Sequence, residues 1–273
     1  MEINIAQLLS ERYPHWAKIL PAFALHSLQR LLHEHEINEI LAHYGGLSPA
    51  AFLQSTLHHL DIDYSVDFSP RITRDGRYIF VSNHPFGGID GMILADMLIR
   101  RFGDVRVVVN HMLSLIEPLA PLWIPVQPNS RQKAEVARHF DHELMGDRPI
   151  ATFPAGLCSR LTNGKVTDPA WKPTFVRKAY ASHRAIVPVY FEGQLSNNFY
   201  RIALLRKTLG IKANIESILL VDELFRRRGC SLRIVVGDPI FPSELQQHGV
   251  VFEQCNYVRE QTYSLASKLS IYG

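Results

Sequence analysis

Cysteine is scarce in this chain: there are three in 273 residues, and Cys158, Cys230 and Cys255 stand far apart. An odd, scattered set argues against a disulfide framework and against a cysteine-built zinc site, and it fits a reducing compartment. Long hydrophobic runs are missing too. No window reaches the roughly 18 uncharged apolar residues that a spanning helix requires. The N-terminal stretch MEINIAQLLSERYPHW carries acids and no long apolar core, so it does not read as a secretory signal. There is no repeat of solenoid period and no Ser- or Gly-rich linker. Net charge is only +3, too slight by itself to point to nucleic acid. These absences leave a chain that is soluble or sits on a membrane surface.

What is present is a chain 47% hydrophobic and 20% charged, enough to build one large α/β core or two small ones. Residues 1–60 read as an N-terminal helical extension and residues 61–273 as an α/β domain. In FALHSLQRLLHEHEINEILAHYG, Leu28, Leu31, Leu32, Ile37, Ile40 and Leu41 fall near helical spacing, and Gly45-Gly46 ends the run. Ser48-Pro49 then supplies an N-cap and a first-turn proline for AAFLQSTLHHL. His33, His35, His58 and His59 raise a metal cluster as one reading and surface histidines of amphipathic helices as the commoner one. No metal is expected.

Beyond residue 60, strand-like and helix-like segments alternate. IDYSVDF alternates apolar and polar residues, and RYIFVS is a buried run after a turn at Asp75-Gly76. GMILADMLIRRFG, RQKAEVARHFDHEL and TFVRKAYASHR read as helices; VRVVV, PIATF, AIVPVYF and LRIVVGDPI read as strands; a helix closes the chain around 251–269. This order predicts a mainly parallel central sheet with helices on both faces. Sites in such sheets form where strands end and loops enter helices.

FVSNHPFGGIDG occupies such an end. Pro85 pushes His84 toward extended geometry, and Gly87-Gly88 permits a tight path with uncovered amides. A carboxylate at Asp90 near the next helix start could hold one imidazole nitrogen and leave the other as a base. No serine accompanies the pair, so the nucleophile would be the substrate's own hydroxyl or amine. The plainer alternative makes Asp90 a helix cap and His84 a satisfied polar residue.

Downstream, WIPVQPNSR ends at Arg131, FPAGLCSR runs to Arg160, and AIVPVYFEG holds Val187-Pro188-Val189. In this order after NHPFGGID, the segments resemble the four blocks of the glycerolipid acyltransferase superfamily, over about residues 78–240. Two departures mark this chain. Five residues, Pro85 through Ile89, separate His84 from Asp90 where the family has four, and Ala155 stands where the third block carries glutamate. The combination looks more like a bacterial branch related to enzymes that acylate amino-acid-containing lipids, once labelled hemolysins.

The resemblance implies transfer of a fatty acyl group from a thioester to the hydroxyl of a lyso-lipid, with His84 as base and Asp90 orienting it. It implies a substrate-binding set of Asn83, Gly87, Gly88, Arg131, Gly156, Ser159 and Arg160. Amides of Gly87-Gly88 or near Gly156 are the candidates for the oxyanion, and Arg131 and Arg160 for an anionic group. No cofactor is expected beyond the co-substrate, acyl carrier protein thioester or acyl-CoA. The partners implied are that donor, a lyso-lipid acceptor and a membrane surface, with no nucleic acid. The place implied is the cytoplasm, peripheral on the inner face of the cytoplasmic membrane.

Residues 197–212, NNFYRIALLRKTLGIK, mix apolar and basic side chains, with Arg226-Arg227-Arg228 adding charge. Phe199, Tyr200, Arg201, Arg206 and Lys207 are the candidates for membrane contact. A helix packing its apolar side on the core, or a dock for an acidic carrier protein, are the alternatives. Other function classes stay open: a hydrolase using Ser159, although GLCSR lacks the final glycine of G-x-S-x-G; a metal-dependent hydrolase using His84, Asp90 and His111; and a non-catalytic lipid-binding protein of the same fold.

Overall fold

The computed structural model describes residues 2–110, 113, 116–126, 133–211 and 215–269; Arg131 and His111 lie outside them. Helices α1 (Ile5–Arg12), α2 (Pro14–Ile19), α3 (Ala22–Leu31), α4 (Glu34–Tyr44) and α5 (Pro49–His59) precede strand β1 (Asp63–Phe68). Next come β2 (Tyr78–Ser82), α6 (Gly88–Phe102), β3 (Arg106–Asn110), β4 (Trp123–Val126), α7 (Lys133–Met145) and β5 (Ile150–Thr152). A hairpin of β6 (Arg160–Thr162) and β7 (Lys165–Thr167) leads to α8 (Thr174–Ser182), β8 (Ala185–Phe191), α9 (Asn197–Thr208) and α10 (Leu219–Phe225). The chain then forms β9 (Ser231–Val236), α11 (Pro242–Leu245), α12 (Val251–Ser264) and α13 (Ala266–Leu269).

The main sheet has the order β1-β9-β8-β2-β5-β3-β4. Neighbours pair in parallel except β8 and β9, which are antiparallel, so β1 and β9 run opposite to the rest. Strand β2 lies at its centre and is buried along its whole length. Successive side chains of a strand point to opposite faces, and β2 shows the consequence. Tyr78 and Phe80 join the core on one face, with α5 and α6, while Ile79 and Val81 join the core on the other, with α8 and α12. Helices therefore cover both faces.

The helical run expected over residues 23–44 breaks at His33, which takes a left-handed backbone with φ 51°. Its ring hydrogen-bonds Glu36 and Asp222 and stacks on Phe225 at 4.2 Å, so the break fastens α4 to α10. Ile40, Leu41, Phe52, Leu53 and Leu57 share one core with Phe80 and Val187, so the N-terminal helices pack into the sheet's own core. Ser48 caps α5 by accepting from the Ala51 N–H, as its sequence predicts. Among the described residues, no three His, Cys, Asp or Glu side chains converge as metal ligands, and no helix is long and apolar enough to cross a membrane.

Candidate active site

Two loops meet at the carboxyl ends of the adjacent parallel strands β2 and β5: residues 83–87, leading into α6, and residues 153–159, leading into β6. A backbone hydrogen bond from Ser159 N–H to the His84 carbonyl (2.8 Å) joins them. Gly87 is the N-cap of α6 and has φ 83°. That conformation is costly for any residue with a Cβ, and it brings Asp90, the third residue of the helix, back over the loop. One carboxylate oxygen, Oδ2, accepts from His84 Nδ1 (2.9 Å), the Phe86 N–H (2.8 Å) and the Gly87 N–H (3.0 Å). The other, Oδ1, is buried with no hydrogen-bond partner among the described residues. Asp90 is thus a helix cap and a histidine partner at once, and the two readings of the sequence are one arrangement.

His84 is held through its ring face and its backbone as well. Phe153 stacks on its ring with centroids 4.1 Å apart, and the Asp168 carboxylate accepts from its backbone N–H (3.1 Å). With Nδ1 committed to Asp90, Nε2 is the remaining ring nitrogen. The Cys158 thiol lies beside the imidazole. It also stands 3.2 Å from the point a Cβ on Gly87 would occupy. Burial alone would lower the His84 pKa, but Cys158 and the Asp90 carboxylate outweigh burial and hold it above the ordinary histidine value. The Asp90 carboxyl is itself pushed up by burial, against the pull of His84 and the two N–H groups.

The other expected site residues divide. Gly88 opens α6, and a Cβ there would meet open space. The Gly87 N–H is taken by Asp90 and the Gly156 N–H by the Phe153 carbonyl (2.9 Å), so of these three glycine amides Gly88's is the one directed at no described acceptor. Asn83 is buried and its side chain is engaged within the fold. Its amide accepts from the Phe191 N–H (2.8 Å) and donates to the Phe191 carbonyl (3.0 Å), fastening the end of β2 to the end of β8. Ser159 is buried and its single O–H donates to Asp168 (2.6 Å), so it is not free to donate to a substrate in this arrangement. Arg160 donates to the Cys158 carbonyl, pairs with Glu216 at 3.3 Å and lies over the Phe199 ring at 5.1 Å. Ala155 is buried in an apolar cluster with Ile79, Val81 and Trp171, where a carboxylate would be costly.

The residues expected to contact the membrane divide as well. Phe199 and Tyr200 are buried against the core, and Arg206 pairs with the buried Glu216 at 2.7 Å. Arg201 and Lys207 are exposed. The arginine triplet is engaged locally: Arg226 with Asp222, Arg227 over the Phe86 ring and Arg228 over Phe225.

Asp168, Cys158 and Phe153 were not singled out from sequence. Asp168 accepts from Ser159, His84 and the Trp171 indole (2.9 Å) and so joins both loops to the α8 side. It lies 84 residues from His84 in the chain, and no local spacing announces it.

An acyltransferase family matches residues 7–271, beyond the 78–240 that the four blocks span. The lyso-glycine lipid O-acyltransferase of Bacteroides thetaiotaomicron is 34% identical over 264 residues, covering 96% of this chain and 97% of that protein. The lyso-glycine lipid O-acyltransferase of Phocaeicola vulgatus is 33% identical, covering 96% and 95%. Among solved structures, the 1-acyl-sn-glycerophosphate (LPA) acyltransferase PlsC from Thermotoga maritima shares the fold, with a TM-score of 0.51, 15% identity and 97% and 96% of the two chains covered. The chain belongs to the acyltransferase family.

Proposed function

We propose that this acyltransferase moves a fatty acyl group from acyl carrier protein or coenzyme A to the hydroxyl of a lyso-lipid carrying an amino-acid head group. The observation that carries the mechanism is the hydrogen bond between His84 Nδ1 and Asp90 Oδ2 (2.9 Å) at the α6 N-terminus. Asp90 fixes the tautomer, so Nε2 takes the acceptor's hydroxyl proton as its oxygen attacks the thioester carbonyl. The tetrahedral oxyanion forms near the Gly88 N–H, at the positive end of α6. Collapse expels the donor thiolate, and the proton on Nε2 passes to it, restoring neutral His84. Positioned general-base catalysis of this kind is worth about 10²–10⁴-fold.

The likeness to the two lyso-glycine lipid enzymes, which align along nearly the whole chain, supports this head group. The buried Ala155 agrees, since it removes an acid from the third block. Arg131 is proposed to meet the acceptor's anionic group, with Arg160 positioning the loop. The place proposed is the inner face of the cytoplasmic membrane.

The test is acyl transfer by purified protein from acyl carrier protein and from coenzyme A thioesters to lyso-glycine lipid, to lyso-ornithine lipid and to lysophosphatidate, with products followed by mass spectrometry. O-acylation of the amino-acid lipids above lysophosphatidate is expected. Preference for lysophosphatidate would overturn the head-group assignment.

A further inference from the structure

Helix α9 is apolar on two faces. Phe199, Tyr200 and Ala203 face the core and are buried. Side chains turn about 100° per residue along a helix, so Leu205 and Leu209 lie one turn apart on the opposite face. Leu204, Leu205 and Leu209 are 59%, 58% and 64% exposed. Ile211, just after the helix, is exposed as well, as are Leu161 and Ile218 on two segments that contact α9. A helix that served only to cover the core would carry polar side chains here. Contiguous exposed apolar side chains of this kind mark an interaction surface.

Charge narrows the occupant. Arg201 and Lys207 are exposed on the same helix, and residues 197–211 contain no Asp or Glu. The two acids that flank this stretch are both paired, Glu192 with Arg233 and the buried Glu216 with Arg160 and Arg206. That ion cluster, with Arg160 stacked on Phe199, clamps α9 to the loop that holds Cys158 and Ser159. The outer face is therefore fixed relative to His84.

We propose that the outer face of α9, with Leu204, Leu205 and Leu209 entering the lipid, Arg201 between them meeting its head groups and Lys207 at the edge beside Leu204, is the docking surface for an anionic bilayer. This rests on the reading of the acceptor as a lipid, and it assigns a side chain set different from the buried Phe199 and Tyr200. Apolar insertion supplies affinity for any bilayer; the two basic groups add attraction to anionic head groups that salt screens.

Flotation with phosphatidylcholine vesicles, with and without phosphatidylglycerol, tests it. Wild-type protein should float with the anionic vesicles and release as salt rises. Leu205→Ser/Leu209→Ser should weaken partitioning to both vesicle types by ~10-fold or more, and Arg201→Glu/Lys207→Glu should abolish the phosphatidylglycerol dependence. Circular dichroism melting checks that both variants fold. Flotation of both variants like wild type would overturn the proposal. So would a wild-type dimer that the leucine variant dissolves, since a second copy would then cover the face. Loss of acyl carrier protein binding in the charge variant with flotation intact would also overturn it. Wild-type turnover of a detergent-dispersed acceptor tests the acyltransferase chemistry separately, so failure of one reading is distinguished from failure of the other.

Discussion

His84 Nδ1 and Asp90 Oδ2 stand 2.9 Å apart with five residues between them, because Gly87 turns the chain through a φ of 83° that the helix can follow. The contact sets both the tautomer and the proton affinity of the base. A general base acts in its neutral form, so a raised pKa means that turnover climbs with pH through an inflection above histidine's usual value of about 6.5. Asp90→Asn removes the charge that favours imidazolium, so the inflection should move to lower pH. Loss of orientation should lower kcat by about 10²–10⁴-fold. A pH–rate profile of both proteins reads the two effects separately.

Cys158 acts on the same proton. Its thiol lies beside the imidazole and helps hold the His84 pKa up against burial. Cys158→Ala should therefore move the inflection down, raising the fraction of neutral base at pH 7 while Asp90 still orients the ring. The profile of the alanine variant checks this; an inflection at the wild-type pH would remove Cys158 from the base's environment.

Gly87 and Gly88 should respond differently to substitution. A Cβ on Gly87 would stand 3.1 Å from Leu220 Cδ2 and 3.2 Å from Cys158 Sγ, at a φ that other residues avoid. Gly87→Ala should cost about 1–3 kcal/mol in denaturant titration. Gly88 is the first residue of α6, where proline is tolerated because no helical partner is lost. Gly88→Pro should keep the melting temperature and, by deleting an oxyanion donor, lower kcat by about 10²–10³-fold.

Asn83 separates a structural from a substrate-binding role. Asn83→Ala leaves the buried Phe191 N–H and carbonyl without their partner. The expected loss is about 1–3 kcal/mol for each group stranded, with KM for the acceptor unchanged in the folded fraction. A raised KM at full stability would instead place the amide on the substrate.

The strands β2 and β8 and helix α6 were legible because burial on both faces leaves continuous apolar runs, and Gly103 ends α6 with φ 87°. The reversal of β9 against β8 was not, since a buried strand reads alike in either direction. The β6–β7 hairpin had a signal in Asn163-Gly164, whose φ values are 51° and 76°, at the tip of strands only three residues long. In the site, His84 and Asp90 were visible as neighbours in sequence. Asp168 was not, because its partners come together only through folding. Helix α9 misled for a physical reason: apolar residues on two faces give periodicity no means of choosing which face is inside, and Phe199 and Tyr200 went to the core.

The most direct measurement is the release of free thiol from an acyl thioester by purified protein, with and without lyso-lipid, in wild type and in His84→Ala. Release that requires the acceptor in wild type, and falls by at least about 10²-fold in the folded alanine variant, is the predicted result. Acceptor-independent release, or full turnover in His84→Ala, would contradict acyl transfer by the His84–Asp90 pair.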